Sequence, residues 1–85
     1  MTRATLLTKE ACSLCIQAKE ILDRLAGEYD LQIEVVSVET PEGQAVATEA
    51  GLQFPPGLLL DGEPFSHGRL SENKLRRALE QGNTR

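Results

Sequence analysis

The chain has 85 residues, 40% of them hydrophobic, with nine Lys and Arg against 13 Asp and Glu and a formal net charge of −4. That length holds one small domain with a modest core, and the acidic balance excludes nucleic acid and anionic membrane surfaces as default partners, since both demand surplus cations. With no Trp, one Tyr and two Phe, a base-stacking platform is excluded as well.

No apolar run approaches the roughly 18 residues of a membrane-spanning helix. The opening MTRATLLTKEA has neither the long apolar centre nor the small-residue cleavage site of a signal peptide. The expectation is a cytoplasmic protein with no membrane partner, in a compartment where disulfides do not persist as staples. Residues 1–85 are expected to form a single domain, with 82–85 as a frayed tail.

The elements follow in chain order. Residues 3–8, RATLLT, read as a strand. Leu14, Ala18, Ile21, Leu22 and Leu25 then recur at spacings of three and four, opposite Gln17, Lys19, Glu20, Asp23 and Arg24. That pattern is an amphipathic helix ending near Gly27. Residues 31–38, LQIEVVSV, are rich in β-branched side chains and read as a second strand. Thr40-Pro41 starts a second helix, with Thr40 as N-cap and Pro41 where its missing N–H costs nothing, and Gly51 stops it. Gly43 weakens this helix.

Residues 57–60, GLLL, form a short apolar strand. Asp61-Gly62 is a favoured hairpin turn, and residues 63–67 return as an edge strand, because Pro64 cannot donate to a central ladder. Ser71 caps a last helix with Leu75, Ala78 and Leu79 inward and Gly82 as its stop, and Leu70 with Leu75 matches a hydrophobic staple. The order βαβ-α-ββ-α implies a parallel pair joined by a crossover helix, extended by an antiparallel hairpin. The predicted fold is α/β, a four-stranded mixed sheet with three helices.

Both cysteines stand in TKEACSLC, residues 8–15, between the first strand and the first helix. Cys12 lies where the first helical N–H groups lack partners and the helix dipole places partial positive charge. Both stabilise a sulfur anion, the reactive form of a thiol, and Lys9 adds a nearby cation. These features predict a depressed pKa and an exposed nucleophile at Cys12. Cys15 falls one turn later as a helical neighbour, less exposed, suited to resolve a mixed disulfide between Cys12 and a substrate. Packing of the pair as small core residues and metal binding are the competing readings. One chain offers only Cys12, Cys15 and His67, short of a zinc site, so none is expected within a monomer. Two chains together supply four thiolates for a metal or an iron–sulfur cluster.

With these motifs the chain resembles the glutaredoxin and thioredoxin superfamily over residues 3–81, and in particular the short bacterial glutaredoxin-like proteins, whose first motif reads T-x-x-x-C-x-L-C, here Thr8 to Cys15. The resemblance implies a thioredoxin-like fold and a monomeric thiol–disulfide oxidoreductase in cell redox homeostasis. It also implies no bound cofactor, glutathione as a possible reductant or substrate, and partners that are disulfide-bearing proteins or glutathione mixed disulfides. The electron donor would be a reductase or glutathione. Lys9 stands where many glutaredoxins carry a lysine that meets a carboxylate of glutathione. Pro56, separated from Asp61-Gly62 by four residues, takes the place of the cis-proline that faces the dithiol. The implied substrate groove holds Lys9, Ser13, Leu14, Pro55, Pro56, Gly68, Arg69, Leu70 and Ser71.

Three departures from the family pattern carry expectations of their own. Pro55 precedes the cis-proline and has no N–H, so one hydrogen bond to an extended substrate is absent, a loss of about 1 kcal/mol. Gly68-Arg69-Leu70-Ser71 lacks the second glycine of the γ-glutamyl site, although a carboxylate can still be received at the helix start. Arg69 is read as a surface charge and His67 as a strand-end residue without a catalytic role. Ser13-Leu14 replaces the usual proline-aromatic pair, which brackets the reduction potential between about −270 and −200 mV, the thioredoxin and glutaredoxin values. No buried proton-accepting acid is evident. Beside the oxidoreductase stand two alternatives, a metal- or cluster-binding dimer and a redox sensor or adaptor without turnover.

Overall fold

The computed structural model describes residues 2–52 and 55–81. The elements are β1 (Thr2–Thr8), α1 (Ser13–Ala26), β2 (Leu31–Ser37), α2 (Pro41–Ala50), β3 (Gly57–Leu60), β4 (Glu63–His67) and α3 (Glu72–Glu80). This is the βαβ-α-ββ-α order read from the sequence, with β1 beginning one residue earlier and Val38 lying in the turn after β2. The expected stop at Gly82 lies outside the described residues.

One sheet runs in the order β2-β1-β3-β4. β1 and β2 are parallel in unbroken register from Thr2 opposite Leu31 to Thr8 opposite Ser37. β3 is antiparallel to both β1 and β4. β4 is therefore an edge strand, the place in a sheet where a proline such as Pro64 is tolerated. Asp61 and Gly62 both have positive φ, 51° and 86°, the conformation of the tightest hairpin turn. The Asp61 carboxylate also accepts the Arg3 N–H at 3.0 Å, tying this turn to the start of β1.

Alternation along the strands divides the core. Ala4 and Leu6 of β1, with Leu58 and Leu60 of β3, face Ala18, Leu22 and Leu25 of α1 and Leu75 and Ala78 of α3. Leu6, Leu22, Leu25, Leu58 and Leu75 are fully buried, each worth about 1.5–3 kcal/mol relative to exposure. Leu70 joins the same core, packed at the entry of α3 as a staple requires. Helix α2 lies over the opposite face, where Leu7 points. There Gly43 is buried, and a Cβ added to it would stand 1.9 Å from the Ser37 carbonyl oxygen. The residue that weakens α2 as a helix is the one that lets it approach the end of β2. Among the described residues no helix is long and apolar enough to cross a membrane.

Candidate functional site

β1 ends at Thr8, whose carbonyl accepts the Val38 N–H at 2.8 Å. The exposed turn Lys9-Glu10-Ala11 follows, with Ala11 in the left-handed region at φ 54°. The chain then becomes extended at Cys12, the N-cap of α1. Its Sγ accepts the Cys15 N–H at 3.1 Å, and its carbonyl accepts the Ile16 N–H at 3.2 Å. A sulfur here fills the role usually held by a serine or aspartate oxygen at an N-cap. It meets an unpartnered helical N–H at the positive end of the dipole, and no acidic residue occupies the first turn to oppose it.

Cys12 and Cys15 are joined as a disulfide, with Cα atoms 5.2 Å apart, inside the range such a bond requires. Cys12 is half-buried, whereas Cys15 is 4% exposed within the core. The pair is thus asymmetric, one sulfur toward solvent and one behind it. Among the described residues no group of three or more His, Cys, Asp or Glu is gathered where a metal ion could be held. No carboxylate is buried among the described residues either.

The register brings other segments to the same end of the sheet. Leu7 pairs with Gly57, and Gly57 with His67. The residues just beyond β1, just before β3 and just after β4 therefore share the end at which the dithiol sits. The Pro55–Pro56 bond there is cis. Pro56 is buried, and its carbonyl accepts the Gly68 N–H at 2.8 Å. Gly68 has φ 79°, a backbone state suited to glycine.

The remaining groove candidates differ in their exposure. Lys9 and Ser13 are exposed and Leu14 is half-buried. Pro55 lines a cavity of about 300 Å³ on the α2 side, with Leu7, Val38, Gln44, Ala47, Thr48, Leu52 and Gly57. Arg69 and Ser71 line a separate depression between β4 and α3. Leu70 is 7% exposed, so its side chain serves the core rather than a groove. The Ser71 hydroxyl caps α3 by accepting the Lys74 N–H at 3.3 Å. Sequence reasoning did not single out Ile16, which is 61% exposed. It stands one turn beyond Cys12 and Ser13 on the same helical face. Its signal was an isoleucine outside the apolar stripe of α1.

Comparison with known proteins accords with this arrangement. The chain is 33% identical over 54 residues to Thioredoxin 1 of Synechococcus elongatus, covering 61% of this chain and 50% of that protein. It is 31% identical over 49 residues to a thioredoxin of Pyropia yezoensis, covering 58% of this chain and 46% of the relative. The chain thus matches about half the length of these curated relatives. Among solved structures it is similar to a mutant thioredoxin from Halobacterium salinarum, with TM-score 0.75 and 25% identity, over 94% of this chain and 73% of the other. A thioredoxin-like protein from Clostridium perfringens, 16% identical, shares the fold with TM-score 0.77 over 95% of this chain and 70% of the other.

The thioredoxin-like fold and the bonded Cys12–Cys15 pair support a thiol redox role. The model of the Glutaredoxin-like domain (DUF836) matches residues 3–80, and the chain belongs to that family.

Proposed function

We propose that this protein is a thiol–disulfide oxidoreductase of glutaredoxin-like type, with Cys12 as nucleophile and Cys15 as resolving thiol. The observation that carries the reading is the unequal placement of the two sulfurs: Cys12 half-exposed at the N-cap of α1 with its Sγ on the Cys15 N–H, and Cys15 buried one turn behind. In the reduced protein the same N–H and helix dipole stabilise a thiolate at Cys12.

That thiolate attacks one sulfur of a substrate disulfide. A bond forms between Cys12 Sγ and that sulfur, and the other substrate sulfur leaves as a thiolate that takes a proton. Cys15, deprotonated, then attacks Cys12 Sγ and expels the remaining substrate sulfur. Two electrons have passed to the substrate, and the protein holds its Cys12–Cys15 disulfide. Two glutathione molecules or the dithiol of a reductase restore the reduced pair by the reverse exchange. Pro56 shapes the surface on which substrate lies, and Lys9 with the Gly68–Ser71 segment offers contacts to an acidic ligand. Pro55, without an N–H, withholds one of the two backbone bonds available to an extended substrate. We propose further that the protein works as a monomer in the cytoplasm.

The test is reduction of the oxidised protein by glutathione and, separately, by a flavoenzyme reductase, followed by trapping in Cys15→Ser. Acid-quenched alkylation and mass spectrometry should find the mixed disulfide on Cys12 in that variant. Absence of any mixed disulfide, with a disulfide substrate present, would overturn the assignment. Protein purified without chelator should show no absorption band of a cluster. A band lost in Cys12→Ser would favour the cluster-binding dimer instead.

A further inference from the structure

Positive charge is not spread evenly over this acidic molecule. Lys19, Arg24 and Arg76 are each paired with carboxylates. Arg69, Lys74 and Arg77 make no ion pair among the described residues. All three line one depression of about 380 Å³ between β4 and α3, and among the described residues no acidic side chain lines it. The carboxylates of α3 are engaged elsewhere. Glu72 holds Arg24 and Arg76, and Glu80 accepts the Tyr29 hydroxyl at 2.6 Å. Ser66, in the wall of the depression, has a buried hydroxyl oxygen without a hydrogen-bond partner among the described residues.

We propose that this groove docks an acidic polypeptide segment of the partner whose disulfide meets Cys12, an inference that rests on the oxidoreductase reading for its consequence but not for the binding itself. Charge complementarity selects the occupant. A chain of net charge −4 repels acidic molecules as a whole, so a local reversal of sign steers one to this face. Length selects an extended chain over a single small anion. From the Ser71 cap to Arg77 the helix rises about 9 Å, and alternate side chains of an extended segment stand about 6.6 Å apart. β4 supplies a sheet edge beside which such a segment can lie. Position links the groove to the dithiol. Arg69 follows His67, which stands at the sheet end shared with Leu7 and the cysteine turn. The groove therefore opens at the dithiol end and runs away along α3.

The direct experiment is fluorescence anisotropy of a fluorescein-labelled hexaglutamate peptide, with a hexaglutamine peptide beside it, on the oxidised protein in 50 mM NaCl. The glutamate peptide should bind, the glutamine peptide should not, and 0.5 M NaCl should release it. Lys74→Gln with Arg77→Gln should weaken binding about fivefold, the scale of two exposed ion pairs. Arg3→Gln with Lys19→Gln removes the same charge elsewhere and should change it less than twofold. Lys74→Arg with Arg77→Lys should retain binding, which separates lost charge from lost folding. Equal weakening in the two neutralised pairs, no binding of the glutamate peptide, or complete displacement by 10 mM inorganic phosphate would each overturn the proposal. Peptide disulfides with glutamate or glutamine tails then connect docking to turnover: kcat/KM should favour the glutamate tail, and Lys74→Gln with Arg77→Gln should remove the preference. A protein that binds hexaglutamate yet reduces no disulfide upholds the groove and overturns the oxidoreductase reading.

Discussion

Cys12 and Cys15 are chemically identical side chains made different by one turn of helix. Cys12 stands at the cap with its sulfur on a backbone N–H, while Cys15 is enclosed by the core. In the reduced protein, iodoacetamide at pH 7 should therefore label Cys12 at least tenfold faster than Cys15, as peptide mapping would show, since thiolate character and access both favour the outer sulfur. Equal labelling would remove the basis for assigning separate roles. Ile16 presents the opposite economy, a large apolar side chain on the Cys12 face and 61% exposed. Ile16→Ser should alter stability by less than about 0.5 kcal/mol, whereas Leu22→Ala, at a fully buried site, should cost about 2–5 kcal/mol. Urea unfolding of both variants checks the contrast. The role of the cysteine spacing was legible from the chain because both sulfurs belong to one local segment. The exposure of Ile16 was visible only as a break in periodicity, and the left-handed Ala11 carried no signal, since alanine has no preference for that state.

Among the elements, the caps and turns were legible because their causes are local. Thr40 and Ser71 accept the Gly43 and Lys74 N–H groups as N-caps should, and Asp61-Gly62 makes the turn its residues favour. Less legible was anything decided by a neighbouring element. In β4, Ser66 lies opposite Leu58 while Pro64 lies opposite Leu59, so Phe65 is an extra residue in the ladder, a bulge on an edge strand. Nothing in EPFSH alone distinguishes that from regular pairing. The clustering of Arg69, Lys74 and Arg77 likewise depends on how β4 and α3 meet. Gly43 illustrates the same point with opposite sign. Read along the helix, Gly43→Ala should stabilise α2 by about 1 kcal/mol. Read across the packing, the new Cβ would stand 1.9 Å from the Ser37 carbonyl oxygen. The obstacle is backbone, which cannot move aside as a side chain can, and overpacking costs about 1–3 kcal/mol. Packing should win, giving a net loss of up to about 2 kcal/mol in urea unfolding. A more stable variant would show that the approach of α2 to β2 relaxes freely.

At the scale of the whole molecule, polar links join the C-terminal part of α1 and the turn after it to α3, across residues nearly 50 apart in sequence. Arg24 donates to Glu72 at 2.8 Å, Arg76 donates to Glu28, and Tyr29 donates to Glu80; within α3, Arg76 also donates to Glu72 at 3.2 Å. The Arg24 guanidinium, by hydrogen bond first and charge second, holds the Glu72 carboxyl below its ordinary 4.5. A carboxylate depressed on folding contributes stability above its unfolded pKa and loses it as pH falls through the folded one. The stabilising link is therefore intact at neutral pH, begins to weaken as pH falls below about 4.5, and is lost as pH passes through the lower folded value. The hydrogen bond to Glu80 raises the Tyr29 hydroxyl above its ordinary 10.0, so that link is present below pH 10 and lost as pH climbs past it, by the same linkage. Between these limits stability should be level with respect to both groups. Glu72→Gln should unfold at lower urea than the parent at pH 7, with the two midpoints converging as pH approaches 3. Because these pairs reach solvent, 0.5 M NaCl should narrow the gap at pH 7 by screening. A constant difference between Glu72→Gln and the parent from pH 3 to 8 would show that Glu72 acts through packing rather than charge.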